Sequence, residues 1–137
     1  MEKIEHIGIA VKNINEAKKT YENLLGYKHY KTETVESEGV RTSFFVCGES
    51  KIELLEATRE GSPISKFINK KGEGIHHIAF AVKDIKKEIK RLKSEGFTIL
   101  NESPKKGADN KWVAFIHPKT AHGVLLELCQ EINNNEK

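Results

Sequence analysis

An eleven-residue stretch occurs twice in this chain, and that repetition restricts the available folds more than any other feature. Ile4-Glu5-His6-Ile7-Gly8-Ile9-Ala10-Val11-Lys12-Asn13-Ile14 returns as Ile75-His76-His77-Ile78-Ala79-Phe80-Ala81-Val82-Lys83-Asp84-Ile85, so that His6 falls on His77 at an offset of 71. His, Ile, Ala, Val and Lys positions are kept, and two of the four changes exchange one apolar residue for another. Each copy runs into a helical pattern that closes on glycine and an aromatic residue, Gly26-Tyr27 and Gly96-Phe97. Self-similarity of this kind marks duplicated supersecondary units. The chain therefore reads as two tandem half-domains of one architecture.

The first half predicts a strand over 4–11 and a helix over about 14–25, stopped by Gly26. Three strands follow near 27–36, 40–47 and 50–56, with Glu38-Gly39 and Gly48-Glu49 as turns. Ser62-Pro63 opens a linking helix over about 62–71, with serine as cap and proline in the first turn. The second half predicts a strand over 74–82, a helix over 85–95, and strands near 97–101, 111–117 and 123–130. The expected organisation is a single domain over 1–137, with repeat modules at about 1–60 and 72–130 and a polar, frayed tail over 131–137. The fold class is α+β, a βαβββ unit written twice.

Length and composition narrow the function. At 137 residues the chain has the size of one domain, and with 37% hydrophobic residues and 3 prolines it can build a core. No apolar run approaches the roughly 20 residues of a membrane span, and Met1-Glu2-Lys3-Ile4-Glu5-His6 lacks the apolar segment of a secretory leader. Cys47 and Cys129 form no CxxC pair and are expected to be buried thiols of a reducing compartment. A cytoplasmic protein is expected, without membrane partners. The net charge of +3 suits an anionic small ligand but, with no basic cluster interleaved with aromatics, argues for no nucleic acid.

Alternation along a strand sends successive residues to opposite faces. Ile7, Ile9 and Val11 form a bulky face suited to pack under a helix, while His6, Gly8 and Ala10 share the other. Ile78, Phe80 and Val82 stand in the same way against His77, Ala79 and Ala81. His76 points away from His77 and is not its co-ligand. The last strand of each half carries a matching anomaly. Lys51-Ile52-Glu53-Leu54-Leu55 and Leu125-Leu126-Glu127-Leu128-Cys129 each set one carboxylate among aliphatics. An ionised carboxylate there is costly unless it is paired or binds a metal. Each repeat thus supplies one His and one Glu. If the halves pack about a pseudo-twofold axis, His6, Glu53, His77 and Glu127 converge as a set suited to Co²⁺, Ni²⁺, Mn²⁺ or Zn²⁺. A five- or six-coordinate ion would keep positions open for a bidentate substrate. Two core His–Glu contacts without a metal are the other reading these residues allow.

These residues are familiar. HIGIAVKNI (6–14), KIELLEA (51–57), GSPISKFINKKGEGIHHIAFAV (61–82) and FIHPKTAHGVLLEL (115–128) resemble the vicinal oxygen chelate superfamily over nearly the whole chain. The segments SPISKF…GEGIHHIAF and HPK…GVLLEL look like its methylmalonyl-CoA epimerase branch. The resemblance implies paired modules forming an open, U-shaped mixed sheet around a metal held by His6, Glu53, His77 and Glu127. It implies an isomerase that interconverts (R)- and (S)-methylmalonyl-CoA through α-proton abstraction and a metal-stabilised enolate. Proton transfer on both faces of the planar species asks for two acid/base groups. Glu127 is the candidate for one and Glu53, by symmetry, for the other. Some family members place a Glu where this chain has Thr42. Other departures are Asp109-Asn110, where the family often has His-Gly, and His122, where Gly is common; both fall in loops expected near an acyl-CoA. A homodimer is also implied.

The remaining features weigh less. Thr42, His117 and Lys119 are candidate substrate contacts, the last two on carboxylate or phosphate, with a turn cap as the alternative for His117. Lys86, Lys87, Lys90, Arg91 and Lys93 read as a solvated helix face. Trp112, Phe115, Phe44 and Phe45 read as ordinary strand and core residues. Two further functions use related scaffolds. A glyoxalase I-type lactoylglutathione lyase would use a similar His/Glu quartet, and a non-catalytic drug-binding member would have no need of one.

Overall fold

The structure is a computed structural model that describes residues 1–133. The chain divides into two compact units, one of His6–His76 and one of Met1–Glu5 with the chain from His77 onward. Each is a βαβββ module, as the repeat predicts.

In the first module β1 (Lys3–Ala10) leads into α1 (Ile14–Leu25), β2 (Lys31–Val35), β3 (Val40–Cys47), β4 (Ser50–Ala57) and then α2 (Pro63–Lys71). Its strands lie in the order β2-β3-β4-β1, with β1 and β4 parallel and the other pairs antiparallel. Asn13 caps α1 by accepting from the Glu16 backbone N–H at 3.1 Å, and Gly26 ends the helix at φ 87°. Val11, Ile14, Phe45 and Leu54 form the core under α1. Ile9 and Ile52 join it, so the bulky face predicted for β1 is the helix-covered one. Ala10, Leu55 and Ile64 make a second cluster under α2, which Ser62 caps and Pro63 opens.

The second module repeats the plan with β5 (Gly74–Ala81), α3 (Ile85–Ser94), β6 (Lys105–Gly107), β7 (Lys111–Ile116) and β8 (Leu126–Glu131), in the order β5-β8-β7-β6. β5 and β8 are parallel. Val82, Ile85, Ile89, Leu92, Ala114, Ile116 and Leu128 form its core, with Trp112 packed at the margin. Lys86, Lys87, Lys90, Arg91 and Lys93 are exposed on α3. The Arg91 guanidinium hydrogen-bonds Glu88 and holds its carboxyl below the usual range. The two helix starts are tied down alike: the Ile14 N–H donates to Glu56 Oε2 at 2.9 Å and the Ile85 N–H to Gln130 Oε1 at 2.8 Å. Glu56 and Gln130 each lie three residues after the anomalous glutamate of their strand.

Five expectations need correction. The strand predicted at 97–101 is reduced to one bridge, Ile99 with Ile116. The Asn101 side-chain oxygen, in place of a backbone carbonyl, accepts from the Phe115 N–H at 2.8 Å. The paired strand therefore begins only after Pro104, as β6. The first-module strand predicted from 27 starts at Lys31. β8 starts at Leu126 rather than 123, because Pro118–Thr120 forms a 3-10 turn and His122 (φ 55°) and Gly123 (φ 88°) bend the chain. It also runs through Glu131, so the predicted tail is shorter; residues 134–137 of that tail lie outside the described ones. Of the two free thiols Cys129 is buried, but Cys47, the last residue of β3 beside the Gly48-Glu49 turn, is exposed. Among the described residues no helix is long and apolar enough to cross a membrane.

Gly39 gives a direct test of the first module. It sits at φ 63°, and a Cβ built there would lie 2.6 Å from Arg59 Nη1. That nitrogen donates to the Glu36 carbonyl at 2.8 Å. Gly39→Ala combines left-handed strain with displacement of this arginine, and a loss of about 1–3 kcal/mol is expected in a urea titration. An unchanged midpoint would show that the turn relaxes freely.

Candidate functional site

β1 and β4 run parallel with Gly8 level with Glu53, and β3 places Phe44 directly opposite that glutamate. In the second module Ala79 is level with Glu127 and Phe115 is opposite it. Each carboxylate thus stands on its sheet between a small residue and a phenylalanine. Gly8 and Ala79 keep the neighbouring strand low, so the histidine two residues earlier can lean across. His6 Nδ1 lies 3.0 Å from Glu53 Oε2, and His77 Nε2 lies 3.2 Å from Glu127 Oε1. All four residues are 4–5% exposed. The sequence expected these four, and the structure pairs them as two matching half-sites, one per module.

The electrostatics match as well. Lys31 Nζ stands 5.2 Å from the centroid of the Phe44 ring, and Lys105 Nζ stands 5.8 Å from that of Phe115. The His77 ring meets Phe115 edge-on at 6.1 Å. Each half-site therefore carries a cation over an aromatic ring, beside a buried imidazole–carboxylate pair. Sequence reading missed Phe44, Phe115, Lys31 and Lys105 in this role. In the first module the signal lies in strand register, which sets Lys31 opposite Phe44; in the second Lys105 lies opposite Val113 and reaches the Phe115 ring diagonally.

His76 turns away, as expected, and packs edge-on against Phe67 of α2 with centroids 5.0 Å apart. Thr42 is fully buried, and its hydroxyl has no hydrogen-bond partner among the described residues. His117 caps the 3-10 turn, its Nδ1 accepting from the Lys119 backbone N–H at 3.0 Å. The Asp109-Asn110 and His122 departures occupy left-handed backbone, with φ values of 59°, 56° and 55°. Asp and Asn tolerate that conformation by local hydrogen bonding.

Neutral imidazole nitrogen and carboxylate oxygen are the donors that divalent transition ions accept. A buried acidic group beside an imidazole can also carry a proton, so each half-site fits both metal holding and acid/base work.

A sequence model of the glyoxalase/bleomycin resistance protein/dioxygenase superfamily matches residues 5–115. An uncharacterised protein of Bacillus subtilis is 41% identical over 95% of this chain and 93% of its own. The ethylmalonyl-CoA/methylmalonyl-CoA epimerase of Cereibacter sphaeroides is 40% identical, covering 93% of this chain and 97% of that one. The crystal structure of methylmalonyl-CoA epimerase from Mycobacterium tuberculosis superposes with a TM-score of 0.91 at 33% identity, covering 96% of this chain and 89% of that one. With its duplicated βαβββ modules and these similarities, the chain belongs to the glyoxalase/bleomycin resistance protein/dioxygenase superfamily and is a close homologue of the methylmalonyl-CoA epimerases.

Proposed function

We propose that this chain is an isomerase, a metal-dependent epimerase of methylmalonyl-CoA. The observation that carries the proposal is the duplication of a buried imidazole–carboxylate pair, His6 with Glu53 and His77 with Glu127, at equivalent positions of both modules. The 40% identity to an epimerase across nearly the full length of both chains supports the choice of substrate. His6, Glu53, His77 and Glu127 would hold a divalent ion, of which Co²⁺, Ni²⁺, Mn²⁺ and Zn²⁺ suit the donors. When bound, such an ion supplies Lewis acidity toward the oxygens flanking the acidic carbon.

The protein's own groups do the rest. The substrate proton lies between a thioester and a carboxylate, so its removal leaves charge delocalised on oxygen. Glu127 would take or return that proton, with Glu53 as its counterpart by repeat symmetry. Phe44 and Phe115 exclude water beside the two carboxylates, which strengthens every charge interaction there. Lys31 and Lys105 supply positive charge for an acyl-CoA, and His117 and Lys119 remain candidate substrate contacts at the end of β7. A drug-sequestering function would leave four buried titratable groups without a task.

Proton NMR in D₂O tests the proposal with methylmalonyl-CoA and protein that is metal-loaded or stripped by chelator. Loss of the α-proton signal is expected with the loaded protein alone. Absence of exchange with every metal, together with turnover of the glutathione hemithioacetal of methylglyoxal, would replace the epimerase by the lyase.

A further inference from the structure

The repeat that builds the two half-sites breaks down at one place on their faces. In the first module the last row of the Glu53 face is Val40 opposite Ala57, and both pack with Ala10, Leu55 and, from α2, Ile64. Carrying Phe44 onto Phe115 and Glu53 onto Glu127 puts Lys111 in the place of Val40 and Glu131 in that of Ala57, and these two lie opposite each other in β7 and β8. No helix follows β8 among the described residues. A cavity of about 470 Å³ lies there instead, with Glu2, Lys3, Glu5, Lys83, Lys111 and Glu131 as its charged lining. All six belong to the compact unit that contains the second module.

Lys111 is 6% exposed and is the one buried lysine or arginine among the described residues. Glu53 and Glu127 are buried against buried histidines. Lys111 instead meets Glu131, whose Oε1 lies 3.4 Å from the ammonium and whose side chain is 86% exposed. Taking an ammonium out of water is costly, and a carboxylate that stays hydrated offsets little of that cost. A valine fills the same place in the first module without it. The lysine therefore lowers stability where it stands, which points to a task in binding.

The lining indicates the ligand. Lys83 lies 3.9 Å from Glu2, and alternation along β1 puts Lys3 and Glu5 on one face. Glu131 is the acid of the set that can turn out into solvent. When it does, three lysines face two glutamates, and the unmatched positive charge is the buried one. Glu131 thus holds the place of an anion. Lys111 is four residues from Phe115 on β7, about 14 Å along the strand, within reach of an extended pantetheine arm whose thioester sits at Glu127.

Resting on the epimerase reading for its substrate, we propose that this cavity is a phosphoryl-anion subsite in which Lys111 holds the anion and Glu131 is the internal competitor that gives way. The diphosphate of an acyl-CoA and free pyrophosphate carry the same group, and either would accept a charge-assisted hydrogen bond from the ammonium.

Calorimetric titration of the full chain with CoA, pantetheine and inorganic pyrophosphate tests the subsite without catalysis. For Lys111→Met, affinity for CoA or pyrophosphate should fall about 10–100-fold, with pantetheine affinity unchanged. The melting temperature should equal or exceed that of wild type, since an apolar side chain of similar length replaces a buried charge. For Glu131→Gln, anion affinity should rise severalfold because the competitor is gone. A loss confined to CoA assigns the subsite to the diphosphate of the substrate, and a loss for pyrophosphate assigns it to the free anion as well. Unchanged affinity for both ligands in Lys111→Met, wild-type protein that binds neither, or weaker binding in Glu131→Gln would overturn the assignment. A lower melting temperature in Lys111→Met with unchanged affinities would make the pair structural. Absence of α-proton exchange in a wild-type protein that still binds pyrophosphate through Lys111 would remove the epimerase reading and leave the anion subsite standing.

Discussion

Glu127→Gln is expected to lower epimerase turnover by about a thousand-fold or more while leaving the fold intact. Glutamine has the volume and hydrogen-bonding reach of glutamate, so the place between Ala79 and Phe115 is filled as before. An amide can still meet the His77 imidazole, which now stands 3.2 Å from the carboxylate. It cannot carry a proton at neutral pH, and loss of a positioned acid or base alone removes about 10²–10⁴ in rate. Replacing a negative oxygen donor by a neutral one weakens metal retention as well, so both changes lower turnover. Turnover per bound metal ion separates the two effects. The rate per occupied site should fall by at least a hundredfold, with the melting temperature moved by no more than a few degrees. A rate per occupied site within tenfold of wild type would leave Glu127 as a ligand and remove it as a proton carrier.

How much of this was legible depends on what each feature needs. The duplicated segment and the alternation around His6 and His77 are local, and they name all four members of the two pairs, because an acidic residue amid Ile-Glu-Leu-Leu or Leu-Glu-Leu stands out against burial. The caps Asn13, Asp84 and Ser62 are equally local. What escaped needs knowledge of which residues lie opposite. Phe44 and Phe115 look like any strand phenylalanine until the register sets them against Glu53 and Glu127. Lys31 and Lys105 look like edge-strand charges until the pairing of β2 with β3 and of β6 with β7 carries them to the half-site face. The misplaced strand near 97–101 has a related cause. Asn101 completes a β7 hydrogen bond through its side chain, a substitution that periodicity does not register. Asn110 and His122 hold positive φ, the backbone that a glycine adopts most easily, so backbone geometry does not explain their departure from the family's glycines.

His77→Ala, compared with His76→Ala, gives the largest contrast between adjacent residues. His77 is 5% exposed and paired to Glu127, and its ring edge meets Phe115 at 6.1 Å. Its removal takes one nitrogen donor from the proposed set and leaves the buried Glu127 carboxylate without that partner. Even outer-shell partners of a metal ligand are worth about 10–100-fold in affinity; a direct ligand should cost more than that, and purified His77→Ala should carry almost no metal. Breaking a buried charged pair on one side typically costs about 3–5 kcal/mol. The metal-stripped protein should therefore also lose stability, toward the lower end of that range because a neutral alanine removes no counter-charge if the imidazole is uncharged. His76 faces the other way, onto Phe67, with centroids 5.0 Å apart. His76→Ala should lose about 1 kcal/mol of aromatic contact and keep its metal. Elemental analysis and chelator-stripped melts of the two variants read both effects at once. Wild-type metal content in His77→Ala would remove His77 from the ligand set, a wild-type protein that itself holds no metal would favour two core His–Glu contacts without an ion, and metal loss in His76→Ala would show that the face assigned to each histidine by strand alternation is reversed.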